Sequence, residues 1–241
     1  MLFTLILTVV GLFLIIYVVL LLPPVQNGLR SRAEEELSKL MHTKVSIGSL
    51  SISNFNQVEL TDVKIPSPDG KRCISADKIG AGINLRQLLK EREIVVTYTE
   101  LIGLDFRLVQ RKQGRPLNIQ FLIDAFKPKE TGKPPMKFDL SIHSVVVRRS
   151  SFSFDKLWCP RKPAGMTDFN HLSLSNIRAD IDIPRIKNGY FDVDLRSLSF
   201  SERSGLELDN LTCHALVTET KLSLADLEIA LPGTTIVPSD F

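Results

Sequence analysis

The spacing of apolar residues changes twice along this chain. From Leu2 to Leu22 there is no period, because nearly every side chain is apolar and the first charge is Arg30. At about 1.5 Å per residue that stretch makes roughly 31 Å of helix, enough to cross a hydrocarbon core. A secretory signal has a shorter apolar core, about 7–15 residues, closed by a small-x-small cleavage site. Leu20-Leu21-Leu22-Pro23-Pro24 offers no such site, so residues 1–24 read as an uncleaved transmembrane anchor.

Beyond Pro24 the period becomes helical. Val25, Leu29, Ala33, Leu37 and Met41 recur every fourth residue among Arg30, Arg32, Glu34, Glu35, Glu36 and Lys39, which predicts an amphipathic helix over 25–43. Glu35 and Lys39 stand at the favourable i, i+4 separation. The expected role of this helix is to cover the end of the sheet that follows, in preference to lying on a bilayer.

From Lys44 onward the period is two. Phe191, Val193 and Leu195 alternate with Asp192, Asp194 and Arg196, Ile181 and Ile183 with Asp180 and Asp182, and Leu227, Ile229 and Leu231 with Glu228 and Ala230. These are strands with one apolar and one wet face, which puts Asp192 and Asp194 outside as solvated charges. Only 85–93 and 119–126 have helical or mixed character. The body is predicted to be nearly all β, in one long meander.

A short pattern recurs within it: apolar, any, apolar, any, Asn or Asp, apolar. It occurs at Leu50-Ile52-Asn54-Phe55, Val58-Leu60-Asp62-Val63, Leu172-Leu174-Asn176-Ile177, Leu206-Leu208-Asn210-Leu211 and Leu222-Leu224-Asp226-Leu227. The last apolar residue lies an odd step along, on the wrong face of an unbroken strand. A bulge at the Asn or Asp, residues that tolerate left-handed backbone, returns it to the apolar face. The irregular intervals between copies exclude a fixed-period solenoid or propeller.

Composition narrows function mostly by exclusion. A net charge of +3, spread along the chain, makes no nucleic-acid footprint. Cys73, Cys159 and Cys213 lie apart, as do His42, His143, His171 and His214, so no metal spacing and no catalytic cluster is visible. The sequence predicts no enzyme, no catalytic residue, no metal and no cofactor. Segments 127–135 and 158–170, rich in Pro, Gly and charge, read as loops inserted in one architecture. The strand-like stretch running to Phe241 without a closing helix suggests the front part of a longer protein.

The order of blocks carries a resemblance. The anchor, the amphipathic helix and Lys44-Val45-Ser46-Ile47-Gly48-Ser49-Leu50 leading into Val58-Glu59-Leu60-Thr61-Asp62-Val63-Lys64-Ile65 resemble the start of the TamB proteins, within the AsmA-like group. Asn118 to Phe126, the Lys/Pro loop and Ser144-Val145-Val146-Val147-Arg148-Arg149 are similar to the form found in Bacteroidetes. The resemblance spans essentially the whole chain, although family members are usually several times longer and their carboxy-terminal region has no counterpart here.

On the residues alone, the apolar face could be a sealed sandwich core, which composition favours, or an open groove. The resemblance implies the groove. It implies a mainly β fold, with the transmembrane and amphipathic helices followed over 44–241 by a curled, elongated, mostly antiparallel sheet of the kind called a β-taco. Arg30 and Arg32 bias the body weakly towards the cytoplasm. The resemblance instead implies a single-pass bacterial inner-membrane protein with a cytoplasmic amino terminus and a periplasmic body. The implied function is carriage of phospholipid between inner and outer membranes in support of outer-membrane biogenesis, with an outer-membrane barrel partner of the TamA or BamA type contacted by the missing carboxy-terminal part. The alternative is a scaffold for translocation and assembly of outer-membrane or secreted proteins by β-augmentation. The groove-lining candidates are Ile181, Ile183, Phe191, Val193, Leu195, Leu206 and Leu208.

Overall fold

A computed structural model describes residues 22–53, 56–83, 96–125, 143–163, 165–187, 190–217 and 221–238. The expected anchor, the 85–93 segment, the 127–135 loop and Asn54 lie outside the described residues, the anchor but for Leu22, Pro23 and Pro24. No helix among the described residues is long and apolar enough to cross a membrane.

The first described element is helix α1, Pro23–Met41. It begins two residues earlier than the apolar period suggested, because Pro23 and Pro24 occupy the first turn, where a missing N–H costs nothing. His42, in left-handed backbone with φ 52°, ends it. Lys39 pairs with Glu35 at 2.6 Å, as the spacing predicts, and with Glu36 at 3.2 Å. Ala33 and Leu37 pack against a core of Met41, Val45, Ile47 and Val63. The polar side chains of α1 also work on the following chain. Glu34 accepts the Ile47 N–H at 2.7 Å, Ser38 accepts that of Val45 at 3.0 Å, and Arg30 donates to the Gly48 carbonyl at 2.9 Å. These backbone groups would otherwise form an open sheet edge, so the helix seals it.

One twelve-stranded mixed, mostly antiparallel sheet follows. In chain order it comprises β1 Ser49–Ser53, β2 Gln57–Pro66, β3 Arg72–Ile83, β4 Val96–Ile102, β5 Asp105–Gln110, β6 Ser144–Lys156, β7 His171–Lys187, β8 Tyr190–Glu202, β9 Glu207–Leu208, β10 Asn210–Val217, β11 Leu222–Leu231 and β12 Thr234–Ile236. Strands β4 and β5 are successive halves of one strand position. Both pair with β3 and with β6, and the register runs through the break, Ile79 opposite Leu101 and Ile74 opposite Phe106. Likewise β9 and β10 lie in line against β8, Phe200 opposite Leu208 and Leu195 opposite Cys213.

The expectation of an uninterrupted meander needs correction at one place. Strands β4 and β5 run parallel to β6, so the chain crosses over between them. The crossover carries helix α2, Gln120–Ala125, within the stretch read as helical. Its Phe121, Leu122 and Ala125 join the core under α1, and Asn118 pins its entrance by accepting from Val109 N–H and donating to the Arg107 carbonyl. The two helices therefore cover the same end of the sheet, over β2 and β3.

Left-handed residues line up across this sheet. Asp62 (φ 49°) on β2, Gly103 (φ 63°) between β4 and β5, Arg149 (φ 50°) on β6 and Asn176 (φ 54°) on β7 fall at neighbouring positions, and the ladder shifts register around the last two. A Cβ at Gly103 would collide with the Asp77 carboxylate on the adjacent strand, so this position requires glycine for space as well as for φ. Asp226 (φ 52°) makes a separate bulge opposite Cys213. The Asn/Asp pattern thus marks left-handed backbone at Asp62, Asn176 and Asp226, with a register shift beside the last two and none beside Asp62. Asn210 is a correction: it is not left-handed and pairs with Ala230, while the strand break falls one residue earlier, at Asp209, whose N–H bonds the Ala230 carbonyl.

Candidate functional site

Each left-handed residue lets the chain take an odd step and so keeps apolar residues on one face. Leu60 and Val63, three apart, both meet the core beneath α1. Residues directly opposite in a ladder share a face, and following them across the sheet gives continuous apolar rows. One runs Leu50, Leu60, Ile79, Leu101, Val147, Ala179, Leu198. A second, apolar but for Thr99, runs Ile52, Val58, Ala81, Thr99, Val145, Ile181, Leu195, Cys213. Beyond the line of left-handed residues a third runs Ile65, Ile74, Phe106, Phe152, Leu174, with the two phenylalanine rings in edge contact at 5.9 Å. With strands about 4.8 Å apart, the first row is roughly 29 Å long.

Among the described residues this face is covered at one end only. The buried apolar residues are Met41, Val45, Ile47, Val63, Cys73, Ala76, Ala179 and Leu208, concentrated near the helices. Leu101, Val145, Val147, Ile181, Leu195 and Leu198 are half-buried among the described residues.

The groove-lining candidates separate on this map. Ile181 and Leu195 are directly paired within the second row, and Val193 is paired with Ala215; all are half-buried. Ile183 is also half-buried, at a bulge where its N–H bonds the His143 carbonyl. Phe191 pairs with Ile186 and Val217; its side chain lies outside the described residues. Leu208 is buried opposite Phe200. Leu206 is a correction: it belongs to no strand but to the turn between β8 and β9, 41% exposed, because the chain reverses at Gly205 (φ 99°) before alternation resumes at Glu207.

The opposite face is ionic. Lys78 reaches Glu59 at 3.0 Å and Glu100 at 3.2 Å, tying β2, β3 and β4, and Arg148 reaches Asp180 at 2.6 Å. A cavity of about 470 Å³ beside Lys44, Lys64 and Arg72 also holds Asp62 and Asp77, so it favours neither sign of ligand. Asp192 and Asp194 lie on this outward face, where alternation put them as solvated charges, and they are paired there as well. His214 on β10 bonds Asp194 at 2.6 Å and lies 3.4 Å from Asp192, while Arg196 pairs with Asp182, which stands opposite Asp194. The hydrogen bond to Asp194, with the charges of Asp192, Asp194 and Asp226, raises the His214 pKa above its ordinary value against a smaller opposing effect of burial. This cluster was illegible in the sequence because it depends on the register of β8 against β10.

Cys73 is buried beside Asn118, and desolvation pushes its thiol up to about 11, the opposite of an activated nucleophile. Among the described residues no group of three or more His, Cys, Asp or Glu could hold a metal. The chemistry this arrangement offers is a broad apolar wall backed by an ionic exterior. No protein-family model, curated protein or solved structure matches the chain.

Proposed function

We propose that this chain is an inner-membrane-anchored, periplasmic, AsmA/TamB-like protein whose sheet curls around its apolar face to carry phospholipid acyl chains. The observation that carries the reading is the set of apolar rows that the described residues leave half-open beyond the two helices. A monomeric sandwich would bury that face; a lipid conduit leaves it accessible. The bulges at Arg149 and Asn176, on neighbouring strands, give the curl a physical origin, since a bulge bends its strand and increases the local twist. Each acyl CH₂ moved from water onto the wall gains about 0.8 kcal/mol, through contacts without direction that let a chain slide. The first row, roughly 29 Å, exceeds half a hydrocarbon core of about 15 Å and so offers length for an acyl chain. No catalytic group takes part in this function, and contact with an outer-membrane barrel partner belongs to the same proposal.

Mass spectrometry of the purified full chain tests it, together with photocrosslinkers placed at Ile181 and Leu195 and, as controls, at Asp180 and Asp194. Lipid adducts at the first pair and not at the second are expected. Equal labelling of both faces, or none at Ile181 and Leu195, would mean that the apolar face is sealed in the native protein. A second reading has its own observation: among the described residues β12 pairs with β11 alone and Thr234–Ile236 are exposed, and an edge of this kind takes up a client strand. Extended peptides co-purifying in place of lipid would favour that scaffold.

A further inference from the structure

The loop between β6 and β7 is built inside out. Its polar groups turn inward: Asp168 and His171 are 6% and 3% exposed. Asp168 accepts backbone N–H groups from Lys162 at 2.9 Å and Asn170 at 3.0 Å, and His171 bridges Asp155 and the Cys159 carbonyl, both at 3.0 Å. Its large apolar side chains turn outward: Leu157 is 57% exposed, Trp158 40%, Met166 60% and Phe169 71%. This is not slack chain, because the internal bonds fix the loop. Thr167 ties it to Ser204 in the β8–β9 turn, where Leu206 adds another exposed apolar side chain, and Trp158 donates to Gln110, which in turn holds the Arg115 carbonyl.

Cations outnumber anions in this patch. Lys112, Arg115, Lys156, Lys162 and Arg203 belong to its segments or their flanks, Arg111 and Arg161 are paired with Asp69 and Asp155, and the remaining carboxylates are Asp168, held by backbone N–H groups, and Glu202, held by the Ser204 N–H and hydroxyl. Burial pushes the Glu202 carboxyl up, but those Ser204 bonds, with help from Ser173 and Arg203, outweigh it and hold it below its ordinary range. Lys156 lies over the Phe154 and Trp158 rings at 5.6 and 5.9 Å. Exposed Trp, Phe, Met and Leu within a lysine-containing rim is the composition of a membrane interface, where aromatic rings sit at headgroup level and Lys and Arg meet anionic lipid. Protein interfaces, by contrast, are depleted in lysine.

We propose that residues 157–163 and 165–170, with the 203–206 turn and the 111–116 loop, dock onto the surface of an anionic phospholipid bilayer. The docking stands independently of acyl-chain carriage along the apolar face: it concerns one end of the strands, not the wall between them.

Trp158 is the single tryptophan of the chain, so its emission reports this site alone. The full chain, held by its apolar amino-terminal stretch in a phosphatidylcholine nanodisc, is titrated with brominated vesicles of phosphatidylglycerol or of phosphatidylcholine. A blue shift and quenching are expected with phosphatidylglycerol only, and both are lost in about 1 M salt, where the Debye length falls to roughly 3 Å. K112Q together with K162Q should weaken the effect by roughly 30-fold, at about fivefold per cationic side chain. M166S together with F169S should remove most of the quenching while far-UV circular dichroism stays unchanged. Absence of quenching by any vesicle overturns the proposal and assigns the patch to a protein partner. Equal quenching by both lipids, unaffected by the lysine variants, also overturns it, since the basic rim would then play no part.

Discussion

Asn176 offers a direct test of how the sheet keeps one face apolar. It sits on β7 at φ 54°, with the register shifting on both sides of its strand. A β-branched residue in left-handed backbone costs about 1–2 kcal/mol, whereas glycine adopts it freely. Replacement of Asn176 by Val is therefore expected to destabilise by about 1–2 kcal/mol, and replacement by Gly to be neutral within about 0.5 kcal/mol. If Val instead straightened the strand, Leu172 and Leu174 would slip to the ionic face, because a one-residue slip inverts a strand. Asp62 is four strands away in the sheet order, about 19 Å, so its Val variant should add independently and bring the double variant to about 2–4 kcal/mol. Its pair with Lys64 at 2.9 Å is exposed and adds under about 1 kcal/mol. Urea unfolding of the full chain in a nanodisc, followed by circular dichroism, gives each value. Val variants as stable as the parent, or Gly variants as damaged as Val, would refute the bulge argument.

Other outcomes follow from single sites. His214 has a folded-state pKa raised above its unfolded value, so its stabilisation is fully present below about pH 6.5 and is lost as pH rises through the folded value. His214→Gln should flatten that part of the pH–stability curve, and a larger drop in the variant than in the parent between pH 6 and pH 8 would contradict the pairing with Asp194. Cys73, pushed up to about 11 by burial, should resist alkylation at about pH 8 in the native chain and react only after unfolding, as peptide mapping can show. Leu208→Ala should cost about 2–5 kcal/mol and Leu206→Ala under about 0.5 kcal/mol, since the first side chain is buried and the second exposed; equal urea midpoints would undo the correction at Leu206.

What the sequence made legible was local. The change to period two located β7, β8 and β11, and the misplaced apolar residue after Asp62, Asn176 and Asp226 revealed the left-handed positions, because these side chains tolerate such backbone. Arg149 occupies the same line of left-handed residues without any such signal, since nothing in an arginine announces positive φ. Neither the parallel step between β5 and β6 nor the approach of His214 to Asp194 was legible. Both depend on which strands become neighbours, and alternation fixes a residue's face without fixing its neighbour. Leu206 was misjudged because its alternation with Leu208 continues across a turn that Gly205 makes possible.

The parallel step has a kinetic consequence. Every other pairing in the sheet joins strands consecutive in the chain or the two halves of one strand position, so each can close as soon as a hairpin is made. Pairing β4 and β5 with β6 requires the 111–143 connection to close first, an entropy cost of about 3 kcal/mol. The chain therefore divides into two folding units, β1 to β5 with the helices and β6 to β12, which zip independently and join late. Pulsed hydrogen exchange should find the amides of the β4–β6 seam protected after those within either unit. During synthesis the first unit would wait, with its β5 edge unpaired, until β6 emerges.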